Sequence, residues 1–151
     1  MRVEEETKFK QLALVSQNLH SASVQLSEQI TEVESALNDL NLGISAWIEL
    51  RRFTKDDDEA ESPIPWSENL GYGKHSGKWG VLCTSYCELT NNPGEVPKSF
   101  LREASRDTRM AAVEKIPELL ELLAHKATSV AKEASEKAAQ AREIATDLRK
   151  K

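Results

Sequence analysis

Few aromatics, few cysteines and no long apolar run mark this sequence, and each shortage excludes something. No stretch approaches the ~20 apolar residues that span a bilayer, so no membrane span is expected. The opening Met1-Arg2-Val3-Glu4-Glu5-Glu6 lacks the apolar run of a secretory leader, and a cytoplasmic protein is expected. Cys83 and Cys87 fit that compartment as reduced thiols. On one strand they would lie ~13 Å apart, beyond the ~7 Å Cα limit of a disulfide. The three histidines, His20, His75 and His125, fall in unrelated segments, so no metal site and no cofactor is expected.

Complete catalytic motifs are missing as well. The glycine-rich Gly71 to Lys78 does not make a phosphate loop: the glycines are wrongly spaced, and Trp79 rather than Ser or Thr follows Lys78. These glycines suit tight turns and close backbone approach. The acid run Asp56-Asp57-Asp58 lacks the Gly and terminal Glu of a calcium loop, and no Ser-His-Asp or Cys-His set is visible. The chain is therefore read as non-enzymatic. A net charge of −5 argues against general nucleic-acid affinity.

What is present is a long heptad pattern. Leu12, Leu19, Leu26, Val33 and Leu40 recur every seven residues, with Ile30 and Leu37 in the second seam position and Ser16 and Ser23 in its earlier half. This predicts a helix over 4–42, ended by Gly43 in a left-handed conformation. A second helix is predicted over 97–150, with Pro97 in its first turn and a bend at Pro117. Its seam, from Leu120 and Leu123 through Ala127, Val130, Ala134, Ala138 and Ala141 to Leu148, is rich in alanine. Residues 1–41 hold 3 basic and 7 acidic residues, and residues 98–151 hold 12 and 9. Complementary charge suggests mutual attraction of the two helices.

Between them the period changes. Ile44, Ala46, Ile48 and Leu50 alternate with polar or aromatic neighbours, as in a strand. Residues 54–65 read as an acidic loop. Asn69 to Leu89 reads as a hairpin turning near His75-Ser76-Gly77. The expected fold is mainly α with a small β insertion (α+β): one domain, 1–151, with two long antiparallel coiled-coil-like helices flanking a β hairpin or three-stranded antiparallel sheet within 44–89. In element order this resembles the β-type prefoldin subunit, a chaperone built as a helical hairpin around a β hairpin. The resemblance implies a sheet carried at the tip of two paired helices.

The aromatic residues of the middle segment and its basic groups are the candidate partner-binding set: Trp47, Trp66, Tyr72, Lys74, His75 and Lys78. Trp and Tyr are favoured interface anchors, and Trp79 suits the core while Trp47 or Tyr72 suits an exposed site. Lys98, Arg102, Arg106 and Arg109 form a candidate basic stripe at helical spacing, able to grip phosphate or an acidic partner, or to pair with the chain's own acidic loop. The expected function is a non-catalytic interaction or scaffold protein that forms homo-oligomers and presents its β tip to a protein partner. One alternative is a small acidic regulator whose loop Asp56 to Glu61 occupies a basic groove on a nucleic-acid enzyme. Another is an enzyme built around His75 with Lys74 or Lys78.

Overall fold

The computed structural model describes residues 2–55, 64–89 and 96–150. The chain is α+β: two long helices flank a four-stranded antiparallel sheet. Helix α1 spans Arg2–Asp39, β1 Ala46–Lys55, β2 Ile64–His75, β3 Lys78–Cys87, β4 Ser99–Phe100 and α2 Arg106–Arg149. The strands lie in sequence order. Strand structure extends to Lys55 and resumes at Ile64, so both ends of the segment 54–65 expected as an acidic loop are strand; Asp56 to Glu61 lie outside the described residues.

The hairpin turn falls where the sequence places it. Ser76 and Gly77 both have positive φ, 52° and 78°, as a two-residue turn between antiparallel strands requires. Gly43 is left-handed too, φ 64°, although α1 stops at Asp39. In β1 the register slips between Glu49 and Arg51. This bulge adds one residue, so Leu50 stays buried while Arg51 reaches Glu68 on β2.

One face of the sheet carries Ala46, Leu70, Tyr72, Val81 and Cys83, and these pack with Ile30 and Leu37 of α1 and Ala112, Ile116, Leu119 and Leu123 of α2. Pleating puts alternate residues on the second face, where the chain covers itself. Trp47 lies so close over Gly71 that a Cβ there would sit 2.4 Å from its ring. Phe100 similarly crowds Gly80, and Leu82 is fully buried.

The second helix begins later than the sequence suggests. Residues after Pro97 are extended, pair with β3 through Leu82↔Phe100 and Cys83↔Ser99, and then form a short 3-10 turn, Leu101–Glu103. The Ser105 hydroxyl caps α2 by accepting from the Thr108 N–H. The fourth strand thus takes residues that helical spacing alone assigned to α2. The helix continues through Pro117 to Arg149; Pro117 is exposed, so the carbonyl deprived of its N–H partner can turn to water.

The helix pairing differs most from expectation. Contacts advance along α1 from Ser23 to Asn38 and along α2 from Arg109 to Lys126. Arg109 Nη1 donates to the Ser23 carbonyl and the Ser27 hydroxyl near one end, and Lys126 Nζ donates to the Ser45 carbonyl, just past α1, at the other. Both helices therefore cross the sheet in the same sense instead of doubling back as a hairpin. Only the second half of α1 and the first half of α2 are packed. Every residue from Arg2 to Ala22 and from Thr128 to Lys150 is exposed. In the seam, Leu12, Leu19 and Leu40 are 66%, 46% and 64% exposed, whereas Ile30 and Leu37 are buried. The physical reason is length: α1 is about 57 Å long at 1.5 Å per residue, and β3, which it crosses, is only about 34 Å.

Candidate functional site

Glu34 stands between Ile30 and Leu37 on the stripe that α1 buries, and its residue exposure is 8%. Beyond the two residues paired with β4, no strand among the described residues pairs with this edge of β3, and α1 covers it with side chains. Glu34 Oε2 accepts the Val81 N–H at 3.0 Å, and Asn38 Nδ2 donates to the Trp79 carbonyl at 3.1 Å. The two side chains do for this edge what a neighbouring strand's backbone would do. The other Glu34 oxygen accepts from Arg102, whose guanidinium also lies over Phe100, 4.2 Å from the ring centroid.

Above this lock is a cleft of about 390 Å³, lined by Asn38, Leu42, Tyr72, Lys78, Trp79 and Arg102 among others. The Tyr72 hydroxyl donates to Asn38 Oδ1 at 2.6 Å, and its ring stacks on Trp79 at 5.6 Å. Burial first, and the Glu34 charge second, push the Tyr72 phenol above its ordinary 10.0. At neutral pH the hydroxyl stays protonated and serves as a hydrogen-bond donor. Burial likewise raises the Cys83 thiol, outweighing the lowering contact with Ser99, and nearby Glu68 raises it further. A thiol held protonated is a poor nucleophile. Among the described residues no group of three or more His, Cys, Asp or Glu is placed to hold a metal. No helix among them is long and apolar enough to cross a membrane.

The structure scatters the candidate partner-binding set. Tyr72 is a core residue, 2% exposed, so the expectation of an exposed Tyr72 fails; the hairpin register sets it opposite Val81, beneath α1. Trp47 is half-buried over Gly71, with Lys98 Nζ 5.7 Å from its ring centroid. Trp66 lies towards the other end of β2, paired with Phe53 and Cys87. Lys74, His75 and Lys78 do cluster at the hairpin tip: Lys74 and Lys78 are exposed, and His75 meets the Phe100 ring edge-on at 5.3 Å.

Nor do the four basic residues form a stripe on one helix. Lys98 precedes β4, Arg102 sits in the 3-10 turn, and only Arg106 and Arg109 belong to α2. Arg102 is committed to Glu34 and Arg109 to α1. Arg106 is exposed. Sequence reading missed Glu34 and Asn38 as an edge lock. The available signal was an acidic residue on an otherwise apolar stripe, four residues after Ile30 and three before Leu37.

The bare helix halves carry exposed apolar side chains. On α1 the stripe packed through Leu37, Ile30 and the half-buried Leu26 continues outward through Leu19, Val15, Leu12 and Phe9, all exposed. On α2 the stripe of Ala112, Ile116, Leu119 and Leu123 continues through Val130, Ala134, Ala141 and Leu148, also exposed. No protein-family model matches the chain, and no curated protein or solved structure matches it.

Proposed function

We propose that this chain is a non-catalytic interaction protein that associates with further copies of itself through the bare halves of its helices. The tip of the β2–β3 hairpin, carrying Lys74, His75 and Lys78, is offered to a macromolecular partner. The observation that carries this reading is the continuity of each apolar stripe from the packed half of its helix into the exposed half. Exposed apolar residues scattered singly are ordinary; a stripe at helical spacing that prolongs a core is the pattern of a surface to be covered. Isolated helical segments are also marginal in water, and most draw their stability from packing of the apolar face.

Sedimentation equilibrium tests self-association. The wild type is expected at a multiple of its 16.9 kDa, and Leu12→Ser/Leu19→Ser, which changes only exposed side chains, at the single mass with its fold retained. A wild type of single mass at every concentration would reject the reading. The tip is tested by affinity capture with Lys74→Glu/Lys78→Glu, both exposed, since the buried Tyr72 offers no surface to a partner. Recovery of the same protein partner by this variant and by wild type would rule the tip out as the docking site.

A further inference from the structure

The geometry points to the particular arrangement of copies: we infer a closed two-fold dimer in which the bare half of α1 in each copy lies antiparallel against the bare half of α2 in the other. This rests on the reading that the chain self-associates and specifies how.

Three observations converge on it. The first is placement. Because α1 and α2 cross the sheet in the same sense, residues 2–22 leave one end of the sheet and residues 128–150 the opposite end. Turn a second copy end over end beside the first, and its α2 half comes level with the first copy's α1 half. The same turn brings its α1 half level with the first copy's α2 half. One two-fold operation thus covers both bare stripes on both copies and leaves nothing to propagate, which is how closed homodimers form. The two segments also match in length. They are 21 and 23 residues by count, roughly 32 and 35 Å of helix.

The second is shape. The α1 half offers large side chains on its stripe, Phe9, Leu12, Val15 and Leu19, whereas the α2 half offers Ala134 and Ala141 between Val130 and Leu148. Large residues on one helix and small ones on the other let the axes approach without voids or overlap. Pairing α1 with α1 would set bulk on bulk, and pairing α2 with α2 would leave alanine facing alanine.

The third is charge. The start of α1 is acidic, Glu4, Glu5 and Glu6, and the end of α2 carries Arg149 and Lys150. Antiparallel pairing brings these oppositely charged tips together. A parallel pairing of two α1 halves in register would stack the three glutamates of one copy on those of the other, which like-charge repulsion disfavours.

The test uses the full-length chain with Glu5→Cys and Ala145→Cys introduced together. Both replacements fall on the stripes and spare their large apolar residues. On oxidation the double variant is expected to run as a single species at twice 16.9 kDa, without a ladder, while neither single variant links above background. The same samples are weighed by sedimentation before oxidation. A dimer that does not link, or one in which Glu5→Cys alone links, would overturn this arrangement and leave self-association standing. A disulfide formed within one chain at the single mass would show that the halves fold back on each other and would also overturn it. A single mass before oxidation at all concentrations would reject self-association itself.

Discussion

Replacing Glu34 with alanine should loosen α1 from the sheet, and the cost can be worked from its two bonds. The Val81 N–H faces the interior at the open edge of β3 and has Glu34 Oε2 as its acceptor. Left unsatisfied, such a buried donor costs about 1–3 kcal/mol. The ion pair with Arg102 adds less. Arg102 is 31% exposed on its side chain and can turn to water, so its share is about 0.5–1 kcal/mol. Together the loss is about 1.5–4 kcal/mol, which for a chain of this size lowers Tm by roughly 3–15 °C. Urea unfolding followed by tryptophan fluorescence measures it, with Trp79 close to the lock and the exposed neighbour Glu32→Ala as control. Wild type and variants must be compared at one protein concentration, because association adds to apparent stability. A Glu34→Ala midpoint no lower than that of Glu32→Ala would refute the edge-lock argument.

Three further outcomes follow from the same packing. Tyr72 keeps its proton in the fold above pH 10.0 and Cys83 above pH 9.0, so their contributions are complete below those values and lost as pH rises through the folded values. Stability should therefore decline from about pH 9 upward, and Tyr72→Phe should remove the part above pH 10; an unchanged alkaline slope in that variant would contradict the burial argument. Gly71→Ala should cost about 1–3 kcal/mol by forcing the Trp47 ring aside. Most of that should disappear in a Trp47→Ala background, as a double-mutant cycle in denaturant would show. Cys83 and Cys87 are both buried and should react with a thiol reagent only on unfolding; labelling at the rate of a small exposed thiol would place them elsewhere.

Local order was legible in the sequence wherever one period ruled. The sevenfold spacing from Leu12 to Leu40 gave α1, and Ser76-Gly77 gave the hairpin turn, because each is a short-range signal. The fourth strand was not legible. Ser99 and Phe100 become a strand only because β3 has an open edge at Leu82 and Cys83, a partner far away in sequence. The same two-residue strand dissolves the basic stripe, since Lys98 and Arg102 no longer share a helix. Tyr72 was misjudged for a related reason: burial depends on which face the β2–β3 register turns towards α1, and period-2 alternation does not tell one face from the other. The direction of α2 across the sheet was hidden for want of any local signal. Charge asymmetry between the helices is satisfied as well by pairing between copies as by pairing within one chain.

Hydrogen exchange at residues 5–22 and 128–148, read against dilution, tests most directly whether the bare helix halves are covered in solution. At high concentration these amides should be protected about as well as those of residues 23–39, and protection should fall away as the protein is diluted. Rapid exchange of both segments at every concentration, with the sheet still protected, would contradict the account.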